Sequence, residues 1–259
     1  MLSLAHLWML AAALLLDAIV GDPDWLWRRV PHPVALLGRL VAHLDQRTNH
    51  DTASPLARRL AGILAIAVIA WLGLAFGYAI ELVFSAFPHG WIGTVIAAAI
   101  LLAGRSLAVH VRAVYDAFAT GGLAAARTAV SRIVGRDPQA LDEAGVSRAA
   151  IESLAENFSD AVVAPAFWFA ILGLPGMLAY KAINTADSMI GHLSPRHRDF
   201  GWAAARLDDL VNLPASRIAG CLVALAAPAV GGSIATAFAV MRRDAGQHRS
   251  PNAGWPESA

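Results

Sequence analysis

Residues 60–87, LAGILAIAVIAWLGLAFGYAIELVFSAF, carry Glu81 as their only charge. About 20 apolar residues in helical form cross the roughly 30 Å hydrocarbon core of a bilayer. This stretch is therefore long enough to span one, and it sets the class of the whole chain. The composition agrees. Of 259 residues, 57% are hydrophobic and 15% charged, and mean hydropathy is +0.54. Soluble domains carry about 25% charged residues, so the pattern predicts an all-α, polytopic integral membrane bundle, residues 1–259 forming one domain.

Outward from this span, four further membrane segments are predicted. Residues 2–20 are apolar apart from His6 and Asp17 and read as a retained membrane segment, because no basic leader or small-residue cleavage site accompanies them. After the Pro88-His89-Gly90 turn, residues 91–104 form a short apolar helix that runs on through Gly104-Arg105-Ser106 into an amphipathic stretch. The apolar run 161–172 meets Gly173-Leu174-Pro175-Gly176, a strong breaker. A re-entrant or tilted hairpin over 161–180 fits that pattern better than a clean crossing. Residues 218–241 are long enough to cross, with a kink at Pro228 and Gly231-Gly232.

The polar regions are 21–59, 105–160 and 181–217. The first two hold six Arg each and the 88–90 turn holds none. The positive-inside rule then places both loops in the cytoplasm, and a re-entrant 161–180 keeps the 181–217 block with them. Net charge of +1 gives no case for nucleic-acid binding. The lone Cys221 excludes an intrachain disulfide. The basic residues are 19 Arg and one Lys, Lys181. That bias suits phosphate or carboxylate recognition, and equally a GC-rich genome.

The densest chemistry lies in KAINTADSMIGHLSPRHRDFGWAAARLDDLVNLPASR, residues 181–217, with one Lys, four Arg, four Asp, two His and two Asn. Ionisable groups are costly beside lipid, so this block points to charged substrates. Glu152, Glu156 and Asp160 fall at i, i+4 and i+8, which stacks three carboxylates on one helical face. A divalent cation with bound phosphate would relieve their repulsion; a solvated face eased by Arg148 is the alternative. Asp187, His192, Asp208 and Asp209 add oxygen and nitrogen ligands, though His192 lacks a partner at zinc spacing. Ser194-Pro195-Arg196-His197-Arg198-Asp199 is a cationic turn suited to phosphate, or an ordinary basic loop. No GxxxxGK[ST] loop, Ser/His/Asp order or CxxC pair is present.

Several strings, in order from about residue 14 to the end, are similar to adenosylcobinamide-phosphate synthases, the CobD/CbiB family of cobalamin biosynthesis. They are GDPDWLWRRVPHPVALLGRL, GRSL, RIVGRD, ESLAENFSDAVVAPAFW, the 181–217 block and the terminal HRSPNAGWPESA. The resemblance implies ATP-dependent amide formation between a propionate carboxyl of adenosylcobyric acid and aminopropanol phosphate or a similar amino-alcohol phosphate. Mg²⁺ would assist, ATP would be a co-substrate, and no organic cofactor would stay bound. Other cobalamin-pathway enzymes would be partners, at the bacterial cytoplasmic membrane with the site facing the cytoplasm. Under this reading Glu152, Glu156, Asp160 and Asp187 hold Mg²⁺ with ATP, and Lys181, Arg196 and Arg198 bind phosphates. Asp208 or Asp209 completes the metal site or accepts the amine proton. Asp22 and His32 line the cavity, with Arg105, Asn184, His192, His197 and Arg206 as further substrate contacts. Family members continue beyond HRSPNAGWPE with a small-residue-rich segment and a last hydrophobic stretch, so the resemblance implies a further segment after Ala259. Two rivals are an AmpE-like, non-enzymatic membrane sensor and a CDP-alcohol-type transferase. The first would not need the acidic ladder together with the SPRHRD turn, and the second's DGxxAR pattern is missing.

Overall fold

The computed structural model describes residues 3–134 and 137–259; Gly135 and Arg136 of the RIVGRD string, and Leu2, lie outside the described residues. It is 79% helical, with no strand among the described residues, as the all-α reading requires. The elements are α1 Leu4–Val20, α2 Asp24–Trp27, α3 Pro33–Thr48, α4 Pro55–Ser85, α5 Gly90–Leu101, α6 Gly104–Val130, α7 Glu143–Phe158, α8 Ala164–Ile190, α9 Trp202–Ala226, α10 Ile234–Asp244 and α11 Gly254–Glu257. By length and hydropathy, Pro55–Ser85, Gly90–Val130, Glu143–Ile190 and Trp202–Val230 could each cross a membrane. The chain divides into two compact units, where the sequence suggested one domain. Unit one comprises residues 1–102 and 164–213, and unit two 103–163 and 214–259.

In unit one, α4 is the central stave. Ser54 Oγ accepts the Ala57 N–H and Pro55 occupies the first helical turn, so the helix starts five residues before the apolar run. One face carries Trp71, Tyr78 and Leu82, all about 60% exposed, which suits lipid and not water. The opposite face packs α8, and Gly73 and Gly77 bring the two backbones together. A Cβ on Gly73 would stand 2.8 Å from the Ala179 Cα, and one on Gly77 would collide with Pro175. Small residues four apart are a recurring way for apolar helices to approach closely.

α8 is bent into a hairpin at Gly173, whose φ of 67° only glycine adopts cheaply. A Cβ on Gly176 would lie 2.6 Å from the carbonyl oxygen of Trp168, eight residues back. A continuous helix would advance about 12 Å over that distance. Trp168 Nε1 donates to Val211 O, and Tyr180 OH donates to Asn212, the next residue. Both arms thus reach one turn of α9, and the chain doubles back as the breaker predicted. Its first arm and the start of the second bury Phe169, Leu174 and Met177 with Ala13 of α1 and Val95 and Ala98 of α5. The rest of the second arm packs Ala182, Ile183, Ala186 and Ile190 against Val41 of α3, Ile66 and Ile69 of α4, and Phe200.

Unit two is built on α6 and α7, which bury Val114, Ala126, Val130, Val146 and Ala149 between them. Four expectations about boundaries need correction. The helix over 91–104 does not continue into the amphipathic stretch, because Leu102 is extended (φ −89°, ψ 157°) and α6 starts afresh at Gly104. Loop 21–59 contains the helix α3, started by His32 and Pro33. Most of 181–217 is helical, with only residues 191–201 forming turns between α8 and α9. The span expected at 218–241 does not form: α9 begins sixteen residues earlier, absorbs Pro214, and ends at Ala226. Pro228 and Gly231 (φ 79°) then break the chain before α10.

Candidate functional site

The acidic ladder is only partly a ladder. Glu152 and Glu156, one turn apart on α7, line an open cavity of about 560 Å³ in unit two together with Ser153, His248, Ser250 and Glu257. Asp160 does not line it. The helix widens into a π-turn at Ser159–Val163, which needs more residues per turn and throws the third carboxylate out of phase. The far wall comes from the terminal HRSPNAGWPESA string. His248 Nδ1 accepts the Ser250 backbone N–H at 3.1 Å, so the ring's proton sits on Nε2, 3.4 Å from Glu257 Oε2. This tautomer makes His248 a donor that orients Glu257. The string is tied to α9 by Asn252, whose Oδ1 accepts from Ser216 Oγ (3.1 Å) and Arg217 Nη1 (3.0 Å), while the Arg217 guanidinium lies 4.9 Å from the Trp255 ring centre.

Unit one holds a second polar cluster, on the facing sides of α8 and α9. Asp208 is buried and accepts from Asn184 Nδ2 (3.2 Å) and Asn212 Nδ2 (2.9 Å), and Asn212 Oδ1 accepts from Tyr180 OH (2.9 Å). Asp187, one turn beyond Asn184, acts electrostatically on Asp208. Lys181 is buried on the same helix. Paired amides around a buried carboxylate satisfy it without a formal counter-charge.

The cationic turn is organised differently from expectation. Arg196 does not stand open as a phosphate ligand: its Nε and Nη2 reach Asp45 Oδ2 at 3.1 and 2.9 Å, and Nη1 lies 3.7 Å from Asp51. His197 Nε2 lies 3.6 Å from the other Asp45 oxygen. Asn49 Nδ2 (3.1 Å) and Arg58 Nη2 both donate to the Arg196 carbonyl oxygen, and Arg59 pairs with Asp199 at 3.3 Å. Burial raises the Asp45 carboxyl, but the Asn49 amide and the Arg196 guanidinium outweigh it and hold it below its ordinary value. The SPRHRD turn is thus a clamp joining α3 and α4 to the α8–α9 connection. Arg206 pairs with Asp209 at 3.2 Å along α9. Arg198, His192 and Arg105 are exposed. Asp22 lies 3.6 Å from His32, whose Nδ1 accepts the Val34 N–H and caps α3.

Of the sixteen predicted positions, the structure sets Glu152 beside Glu156, Asn184 with Asp187 and Asp208, Arg196 and His197 together at Asp45, Arg206 beside Asp209, and Asp22 beside His32. The four proposed metal ligands do not share a unit, since Asp187 belongs to unit one. No three His, Cys, Asp or Glu groups among the described residues stand close enough to hold a metal ion. The sequence reading missed His248, Ser250 and Glu257, although their string was conspicuous, and Asn212 and Tyr180. Asn212 is a polar residue one turn beyond Asp208 on the same helix, and that spacing is the signal that could have found it.

Comparison with known proteins bears on what this arrangement serves. The profile of the family described as CobD/Cbib protein matches residues 10–259. A cobalamin biosynthesis protein CobD from Sinorhizobium sp is 53% identical over 254 residues, covering 97% of this chain and 79% of the relative. Proteins of the same name from Rhizobium meliloti strain 1021 and Rhodobacter capsulatus are 52% and 48% identical, each over 97% of this chain and 78% of its own length. No solved structure matches.

Proposed function

The chain belongs to the CobD/CbiB family and has a role in cobalamin biosynthesis, and from that premise we propose that it is a membrane-bound ligase. It would join a propionate carboxyl of adenosylcobyric acid to aminopropanol phosphate, or a similar amino-alcohol phosphate, at the expense of ATP. The supporting observation is the open cavity walled by Glu152, Glu156 and Glu257 in a chain otherwise built for lipid. Three carboxylates bordering one solvent-reaching cavity give it a negative potential that favours a cationic or metal-bound ligand.

A carboxylate is a poor acyl donor. In the proposed reaction its oxygen attacks the terminal phosphorus of ATP, ADP leaves, and the amine then displaces phosphate from the acyl carbon with loss of one proton. Glu152 and Glu156 fit Mg²⁺, which takes one or two carboxylates and completes its shell with phosphate oxygens and water; when bound it would neutralise charge gathering on the phosphates. The remaining work falls to side chains. Glu257, held by His248, borders the same cavity and is placed to hold the ammonium of the incoming amine or take its proton. We place the site on the cytoplasmic face of a bacterial inner membrane, where ATP is available.

The test is turnover. Purified protein in lipid nanodiscs, given adenosylcobyric acid, aminopropanol phosphate and Mg²⁺–ATP, should form adenosylcobinamide phosphate with one ADP per amide. Omission of ATP should abolish product. Product formed at an undiminished rate without ATP, or none with all substrates present, overturns the reading.

A further inference from the structure

Beside the acidic cavity in unit two lies a second cleft of about 380 Å³, and the two share Ile133 and Val134 as a common wall. Its lining has the opposite character, with Ser106, His110, Arg132 and Asn157. The wall is pinned from α7: Ser153 Oγ donates to Ile133 O, and Asn157 Nδ2 donates to Ser153 O (2.8 Å) and Oγ (3.1 Å). Arg132 has no ion pair among the described residues. His110 Nδ1 donates to Ser106 O at 2.7 Å, which fixes the ring on the α6 surface. That leaves Nε2 as its outward nitrogen. The first turn of α6, from Gly104, borders the cleft at Ser106 and Leu107. A long helix's first turn favours negative charge.

We propose that this cleft is a phosphate subsite of the ligase site, with Arg132 as its cationic contact. The proposal rests on the reading given above and refines it. It replaces Arg196, which is committed to Asp45, as the phosphate ligand. It also gives a use to GRSL and to the start of RIVGRD, which lie 25 residues or more apart in sequence and meet here. A phosphate brings positive charge with it, either as Mg²⁺ or as the ammonium at the other end of an amino-alcohol phosphate. Glu152 and Glu156 line the adjoining cavity, where that charge would sit.

Binding in nanodiscs, without corrinoid and without turnover, tests the idea. Calorimetric titrations would use inorganic phosphate, Mg²⁺–ADP, aminopropanol phosphate and free aminopropanol against the full chain. Arg132→Gln should weaken at least one phosphate-bearing probe by about tenfold or more while leaving free aminopropanol as in the parent, and Arg132→Lys should recover part of the loss. A loss confined to Mg²⁺–ADP assigns the subsite to the nucleotide, and one confined to aminopropanol phosphate assigns it to the amine substrate; both support a phosphate subsite. Unchanged affinity for all three phosphate probes in Arg132→Gln, with an unaltered melting temperature, overturns it. If the parent protein binds phosphate but forms no amide, the reaction falls and the subsite stands. If Arg132→Gln binds and turns over normally, the subsite alone falls.

Discussion

At the scale of single residues, Asp45 shows how a charge-rich motif can be structural. Its two oxygens serve Arg196, His197 and Asn49, so Asp45→Asn breaks the clamp on the SPRHRD turn. Because Arg196 is 40% exposed, the expected loss is modest, about 1 kcal/mol, read as a lower melting temperature in detergent. The pH dependence follows in sign. The folded pKa is depressed below 3.8, so the contribution is present above that value and lost as pH falls through the lower folded one. Protection of the amides in residues 194–200, taken relative to the intrinsic exchange rate at each pH, should therefore fall in acid in the parent and be low at every pH in Asp45→Asn. The sequence showed the cations of this turn but not their partner. Asp45 lies some 150 residues away on a helix with an ordinary polar pattern, and no local spacing couples the two.

At the scale of elements, glycines and a borrowed carboxylate set the α4–α8 pair. Glu81 Oε1 accepts the Leu174 backbone N–H at 2.8 Å, so α4 caps the second arm of α8. Glu81→Leu should leave that N–H unmet and cost about 1–3 kcal/mol, whereas Glu81→Gln keeps an acceptor oxygen and should cost less. Comparative thermal unfolding in one detergent checks both. Gly77→Leu should do worse than either, since its side chain would meet the Pro175 backbone. The spans of α4 and the Gly173 corner were legible because apolar runs and breakers are local signals. The early start of α9 was not, because its first turns carry RLDDL, a polar stretch that hydropathy does not join to the apolar run; those polar groups are tolerated because Asn184 and Asn212 meet Asp208 inside the unit. Likewise the i, i+4, i+8 ladder presumed a regular helix, and the π-turn at Ser159–Val163 removed its third rung.

At the scale of the whole molecule, four apolar helical stretches make this a membrane protein, and its orientation is testable. α4 is about 46 Å long if straight and separates the Arg-rich 21–59 region from the uncharged turn at Pro88-His89-Gly90. In a Cys221→Ala background, His89→Cys should label with a membrane-impermeant maleimide added to intact cells. His50→Cys should label only after the membrane is opened. The opposite pattern would move the proposed site away from cytoplasmic ATP.

The Glu81–Leu174 bond joins residues 93 apart, and this bears on how the protein is made. An unmet backbone N–H in hydrocarbon costs several kcal/mol, so the hairpin of α8 is a poor guest in lipid by itself. It becomes a good one only where α4 already waits with its carboxylate. Synthesis runs from the N-terminus, so α4 leaves the ribosome first and offers a template on which the later hairpin closes. The assembly order is thus written into a single hydrogen bond.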